Sequence, residues 1–504
     1  MNLILLLVLL SFFTGLNAAP VDNMSEGIEF PDHPSFNTGC QNRTEVPETM
    51  MKLHLKHKPT NLGIGEHRNR DVSRIQAFHQ RIVEKKNQDT VSRRTEPRRR
   101  LVASQVPRRK PGIAEKEGEP AGQLTATLVS GFSLGSVEYL MDVFIGTPPK
   151  RFSLILDTGS DLNWIQCLPC HHCFPQLGPQ YNPQDSSSYH SISCHDPRCK
   201  LVSSPDPPRR CKKDDQTCEY FYWYGDNSNT TGDFSLETFT VNLTTPAGES
   251  EFRRVEDVMF GCGHWNRGQF HGTAGLLGLG RGPLSFASQL QSLYGHGFSY
   301  CLVDWNSNAS VSSKLIFGEH KRLMGHPSLN FTSFVGGKEN ANAVDTFYYI
   351  QIEAIMVGGE KLAIPAKTWS LSPEGLGGMI IDSGATLTYF AAPAYRMIKE
   401  AFRKKMERYT LVEYIPMLDA CYNVSGVMKV EMPGLTILFG DGAVWNFPVE
   451  NCFVPMDTDI VCLAISEAPN SLSILGNYQQ QNFHIFYDTK NSRLGFAPMK
   501  CADV

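Results

Sequence analysis

The chain changes texture near residue 124. Apart from an apolar stretch at its start, the region 20–120 is polar, charged and interrupted by proline. One patch within 68–88 has helical spacing: Val72, Ile75, Phe78 and Ile82. From about Leu124 onward, short runs of Val, Ile, Phe and Tyr alternate with Gly, Pro and Asn turns. Glu138–Ile145, Phe152–Leu156, Phe234–Val241, Tyr348–Met356 and His484–Tyr487 read as strands. Leu284–Leu293 and Pro393–Met406 read as helices. The pattern predicts an all-β body with few helices, preceded by a segment of different character.

Inside that body the pattern repeats. Ile155-Leu156-Asp157-Thr158-Gly159-Ser160-Asp161-Leu162 aligns with Ile380-Ile381-Asp382-Ser383-Gly384-Ala385-Thr386-Leu387. A glycine turn precedes each copy, and a pair of aliphatic residues followed by glycine comes after it: Leu276-Leu277-Gly278 and Ile474-Leu475-Gly476. Two similar lobes, each contributing one Asp, fit this arrangement.

Composition agrees with a large folded body. The chain has 504 residues, 41% hydrophobic and 19% charged, which excludes a chain disordered throughout, a collagen-like repeat or a coiled coil. The formal net charge of -4 hides an asymmetry. Residues 51–120 hold eighteen Lys/Arg against eight acids, a local net of +10, whereas 121–504 carry a net of -9. The basic segment reads as a solvated arm or as a prosegment held on an acidic body by opposite charge. No global basic excess points to nucleic acid.

Residues 3–13, LILLLVLLSFF, followed by small residues at Asn17-Ala18-Ala19, read as a cleaved signal peptide. The run is too short to span a bilayer, so no membrane anchor is expected. A secreted, extracellular product follows, with the vacuole as the other destination. Sequons occur at Asn23, Asn42, Asn229, Asn242, Asn308, Asn330 and Asn423.

One Asp-Thr/Ser-Gly tripeptide carries little information, since about 0.2–0.3 copies arise by chance in a chain of this size. Two copies, each after two aliphatic residues and each followed by an aligned Leu, carry much more. The aliphatic pair buries a strand, and the glycine lets one carboxylate approach the other. Thr158 and Ser383 can hydrogen-bond backbone across the junction. Two close carboxylates share a proton, and such a pair can work as general base and general acid on a water between them.

These residues resemble the pepsin-type aspartic proteases, and within them the plant nepenthesin-like group. The resemblance covers roughly residues 124–501. It is carried by Asp157-Thr158-Gly159-Ser160 with Trp164 and Cys167, by Asp382-Ser383-Gly384, and by Tyr224-Gly225-Asp226 with Gly232. It implies a bilobal pepsin-like fold of two β-barrel-like lobes. It implies that Asp157 and Asp382 are catalytic and that Gly159, Gly384, Thr158 and Ser383 shape the substrate site. Tyr224 is implied to close over substrate from a flap, with Trp164 as its hydrogen-bond partner. The expected organisation is a signal peptide over 1–19, a basic inhibitory prosegment over 20–123, an N-terminal lobe over 124–335 and a C-terminal lobe over 336–504. The expected activity is peptide-bond hydrolysis by a monomer, without metal or other cofactor, on polypeptide substrates. The alternative is a catalytically silent binding protein on the same scaffold, of the xylanase-inhibitor kind.

Two departures stand out. Ala385 occupies a place where the group usually has a hydroxyl residue, which predicts a less acidic dyad and a higher pH optimum. Only about 120 residues follow Asp382, too few to include a saposin-like insertion of roughly 100 residues beside a lobe.

Fourteen cysteines favour an oxidising compartment. Seven of them lie between Cys167 and Cys218. Cys167-x2-Cys170-His171-His172-Cys173 also reads as a zinc knuckle, but a secretory route favours disulfides. The sequence alone leaves the connectivity open. The resemblance implies the pairs Cys167–Cys170, Cys173–Cys262, Cys194–Cys218, Cys199–Cys211, Cys301–Cys501 and Cys421–Cys462. Cys40 and Cys452 are left over, Cys452 being expected as a buried thiol.

Overall fold

The computed structural model describes residues 68–76, 124–130 and 138–504, apart from stretches at 203–210, 212–214, 225–227, 245–249, 269, 271, 306, 308–310, 337–345, 373–375, 414, 416–417 and 419. The signal peptide, Cys40, Phe78, Ile82 and the sequons at Asn23, Asn42 and Asn308 lie outside the described residues.

The fold is two-lobed and mostly β. Strand Tyr139–Ile145 runs antiparallel to Lys150–Asp157, with Leu140 opposite Ile155. Alternation is lost toward the end of the second strand, where Leu154, Ile155, Leu156 and Asp157 are all buried. That is the mark of a strand covered on both faces. It pairs in parallel with Gly275–Gly278, which sets Asp157 opposite Gly278. The second lobe repeats the device: Met379–Ile381 runs parallel to Ser473–Leu475. The repeated aliphatic-pair-plus-glycine motif is thus the parallel partner of each Asp-bearing strand. Its glycine is required because a Cβ at Gly278 would strike the Asp161 backbone, and one at Gly476 the Leu387 carbonyl.

A long hairpin, Asn229–Thr244 with Ser250–Arg267, dominates the N-terminal lobe. Glu219–Trp223 pairs antiparallel with its start, Trp223 facing Asn229, so Tyr224 stands at the end of a β-hairpin. In the C-terminal lobe, Ile352–Val357, Leu435–Phe439 and Val444–Phe447 form a sheet against which the helix Ala392–Lys405 packs Tyr395, Ile398 and Phe402. The lobes share one sheet. Gly297–Cys301 pairs with Phe483–Asp488, which pairs in turn with Arg493–Pro498.

Local structure differs from the sequence pattern in two places. Leu284–Leu293 is two short helices, Phe286–Gln289 and Gln291–Tyr294, meeting at Leu290. Tyr348–Met356 is interrupted at Gln351 between Tyr349–Ile350, which pairs with Met379–Ile381, and Ile352–Val357, which joins a different sheet.

Four of the expected disulfides need correction. The structure pairs Cys167 with Cys262 and Cys170 with Cys173, in place of Cys167–Cys170 and Cys173–Cys262. It pairs Cys194 with Cys211 and Cys199 with Cys218, in place of Cys194–Cys218 and Cys199–Cys211. The first exchange follows from strand geometry: Trp164–Gln166 runs parallel to the strand carrying Cys262, with Ile165 opposite Cys262, so Cys167, two residues after Ile165, lies alongside. Cys301 is bonded to Cys501 and Cys421 to Cys462, and Cys452 is a buried free thiol. Among the described residues no helix is long and apolar enough to cross a membrane.

Candidate active site

Asp157 and Asp382 end equivalent strands and face one another across the lobe junction. Both are fully buried. A Cβ at Gly159 would come within 2.6 Å of Asp382 Oδ2, and one at Gly384 within 2.6 Å of Asp157 Oδ1. Each glycine therefore makes room for the opposite carboxylate. Thr158 and Ser383 tie the two loops reciprocally. The Thr158 N–H donates to Ser383 Oγ (3.1 Å), the Ser383 N–H donates to Thr158 Oγ1 (2.9 Å), and Ser383 Oγ donates to the Leu156 carbonyl (2.9 Å).

The two carboxylates are not equivalent. Asp157 accepts from the Gly159 N–H (2.9 Å) and from Ser160 Oγ (2.5 Å). Asp382 accepts from the Gly384 N–H (2.8 Å), but Ala385, fully buried where Ser160 sits in the other loop, has no hydroxyl to offer. Burial raises the Asp382 pKa to about 6; Arg74 pulls it down and Asp157 pushes it up.

Arg74 comes from outside the body, on the helical residues 68–76. Its guanidinium bridges the pair: Nε donates to Asp382 Oδ2 (3.0 Å), Nη2 to Asp382 Oδ1 (3.3 Å), and Nη2 also to Asp157 Oδ1. Burial works against the charge on Arg74, and the two carboxylates more than offset this, so its pKa is raised. The rest of the helix is anchored on both lobes. Asp71 Oδ2 accepts from the N–H groups of Thr386 (2.9 Å) and Leu387 (3.2 Å) and from Tyr389 OH (3.0 Å). Arg70 forms an ion pair with Glu138, Arg68 Nε donates to Ser466 Oγ (3.1 Å), and Asn470 Nδ2 donates to the Ile75 carbonyl (3.0 Å). Ile75 is buried in the core and Val72 packs against it.

The sequence pattern singled out Val72 and Ile75 as a helical face but not the polar residues beside them. The available signal was positional. Arg70, Asp71 and Arg74 lie three and four residues apart, close enough on a helix to present charges to one surface.

Tyr224 is buried, and its hydroxyl accepts from the Trp164 indole N–H (2.7 Å). Phe174 and Phe270 pack against Trp164, and Phe270 also against Tyr224. Gly225 and Asp226 lie outside the described residues. Of the sequons within them, Asn229 is half-buried on the hairpin beside Tyr224, Asn330 and Asn423 are exposed on strands, and Asn242 lies in the strand Asn229–Thr244.

Comparison with known proteins places this arrangement. Residues 139–319 match the family model described as xylanase inhibitor N-terminal, and residues 347–498 the one described as xylanase inhibitor C-terminal. The chain is 38% identical over 405 residues to aspartyl protease family protein 2 of Arabidopsis thaliana, covering 80% of this chain and 78% of that protein. It is 39% identical over 378 residues to aspartic proteinase nepenthesin-2 of Nepenthes gracilis, covering 73% of this chain and 78% of that protein. Among solved structures, that titled edgp superposes with a TM-score of 0.60 at 20% identity, covering 77% of this chain and 97% of the other. Conglutin gamma, a basic 7S globulin from lupine seeds, also gives 0.60 at 20% identity, over 75% of this chain and 95% of the other. At that identity the structural likeness concerns the fold. With relatives at 38% and 39% identity over three-quarters of its length, the chain belongs to the plant aspartyl protease family that includes the nepenthesins.

Proposed function

We propose that the protein is an aspartic endopeptidase made as a secretory zymogen, with residues 1–19 as signal peptide and 20–123 as inhibitory prosegment. The lobes would divide near residue 335. The observation that carries this reading is the buried carboxylate pair bridged by a cation from outside the body. With Arg74 withdrawn, a water can sit between Asp157 and Asp382. The ionised member takes a proton from it, the oxygen adds to the peptide carbonyl, and the protonated member gives its proton to the developing oxyanion. The first carboxyl then passes its proton to the amide nitrogen, the C–N bond breaks, and the diol proton returns to the other carboxylate as the new carboxyl forms. Ser160 donates to Asp157, while burial and the missing hydroxyl favour the proton on Asp382. Tyr224 and Trp164 would close over an extended polypeptide held in the cleft.

Acid is the expected trigger, and the sign follows from the contacts. Burial raises the Asp382 pKa and Arg74 lowers it, so where the carboxyl stays buried in the cleft, loss of the cation lifts that pKa above about 6. The released state then binds the proton more tightly, and release is favoured as pH falls through about 6. Asp71 acts in the opposite sense. Burial raises its pKa from 3.8 to about 6 in the docked state, so protonation between those values favours docking. The dyad must therefore prevail over Asp71 for acid to open the site.

The decisive assay is cleavage of unfolded globin by acidified protein across pH 3–7, with and without pepstatin, against Asp157→Asn. Pepstatin-sensitive cleavage absent from the variant supports the proposal. A folded, matured protein that cuts nothing transfers the case to a catalytically silent binding protein on this scaffold.

A further inference from the structure

The helix 68–76 contacts the body through Arg68, Arg70 and Arg74, and the dyad accounts for Arg74 alone. Arg70 lies four residues before Arg74, so both project from one side of the helix. Its partner, Glu138, immediately precedes the strand Tyr139–Ile145, which pairs directly with the Asp157 strand. Under the helix the ion pair is dry, with 9% of the Arg70 side chain and 1% of the Glu138 side chain exposed. We propose that Glu138 is a specificity residue of the mature enzyme and that it selects a lysine or arginine side chain of the substrate. The proposal rests on the endopeptidase reading and on departure of the segment 20–123.

Geometry locates the subsite. Four helical residues rise about 6 Å. An extended peptide covers that distance in about two residues, at roughly 3.3 Å each. The selected cation therefore sits about two residues from the bond that is cut, on the Glu138 side. Glu138 belongs to the body and stays when the helix leaves. Losing Arg70 removes a counter-charge from a carboxylate that a bound substrate would cover again, and a substrate cation restores it. The other polar anchors of the helix discriminate less by charge: Asp71 is held by backbone N–H groups and a phenol, and Arg68 by a serine hydroxyl. Those donors and that hydroxyl can be met by any substrate backbone. A backbone N–H can also bond to the Glu138 carboxylate, but only a cation neutralises its charge as Arg70 does.

Two measurements test this. In the first, a neutral substrate peptide is varied with one lysine at each of eight positions around the cut, and kcat/KM is measured for the matured wild type and for Glu138→Gln. Lysine about two residues from the cut is expected to raise kcat/KM over the parent peptide by about tenfold in wild type, chiefly through KM. The same ratio is expected to fall near one in the variant, and glutamate at that position to be disfavoured by wild type alone. The same lysine profile in both proteins overturns the proposal.

The second measurement needs no turnover. A synthetic peptide of residues 64–80, unchanged or carrying Arg70→Ala, is titrated at neutral pH into the matured wild type and the Glu138→Gln protein. Arg70→Ala should weaken binding about tenfold or more on wild type and less than about twofold on Glu138→Gln. Equal loss on both proteins, or no loss on wild type, refutes the cation subsite. Coupling of Arg70 to Glu138 in a protein that cleaves no peptide would uphold the subsite and defeat the endopeptidase reading instead. Should Glu138→Gln not fold, the wild-type lysine and glutamate scans decide alone, and a flat pair of scans overturns the proposal.

Discussion

At the scale of single residues, the site is governed by what each carboxylate is offered. Asp157 has a hydroxyl donor in Ser160, whereas the matching position beside Asp382 is Ala385. Ala385→Thr would supply that donor and favour the charged form of Asp382. The acid limb of the kcat/KM profile of the matured enzyme should then move to lower pH, and superimposable profiles would discard the idea. Arg74 makes the strongest case for charge as the lock. Arg74→Gln keeps length and polarity but removes the cation, so the full-length chain should cleave peptide near neutral pH without prior acid treatment. An equally silent variant would show that the helix blocks the cleft by bulk alone. Asp71→Asn mimics the neutral form that favours docking at every pH, so the midpoint of acid activation should shift to lower pH; an unchanged midpoint would mean that Asp71 does not oppose release.

At the scale of elements, the reciprocal Thr158–Ser383 bonds hold two loops that belong to different lobes. Each buried bond contributes roughly 1 kcal/mol net, and an orphaned buried N–H costs more. Thr158→Val orphans the Ser383 N–H and loosens the spacing between carboxylates. We expect a lowered kcat at little changed KM, together with about 1–3 kcal/mol lost from unfolding in urea. The repeated motif made both loops legible beforehand, because their function requires local residues in fixed order. The helix 68–76 was legible only as a weak apolar face at Val72 and Ile75. Its polar face has no periodic signature of its own, and its partners lie far along the chain, 83 residues away for Asp157 and 398 for Ser466.

At the scale of the whole molecule, the sheet joining the lobes carries a feature that bears on acid tolerance. His484 lies opposite Cys301 on the strand Phe483–Asp488 and shares a hydrogen bond with Ser299 Oγ (2.9 Å). Burial, with nearby His320, Arg322 and His326, lowers its pKa to about 3. Unfolded histidine titrates near 6.5. Between those values the unfolded chain binds a proton that the folded chain refuses, so stability falls as pH drops from about 6.5 toward about 3. The effect is on the order of a few kcal/mol at the acid end. His484→Gln should narrow the gap in urea midpoint between pH 7 and pH 4, whatever it does to the midpoint at pH 7. An unchanged gap would mean that other groups set the acid limit.

The sequence by itself determined the all-β body, the two aspartates and the loops that carry them. Those features are written locally, as strand periodicity and as a motif stated twice. It also determined that the N-terminal region is basic and the body acidic. Tertiary structure decided the rest. Which cysteines pair depends on which Cβ atoms the strands bring alongside, and a parallel pairing placed Cys167 next to Cys262 although Cys170 is nearer in the chain. Which of eighteen cations in residues 51–120 reaches the dyad depends on how one helix docks across two lobes. Charge in a sequence is a sum, whereas an ion pair is a distance, and only the fold supplies distances.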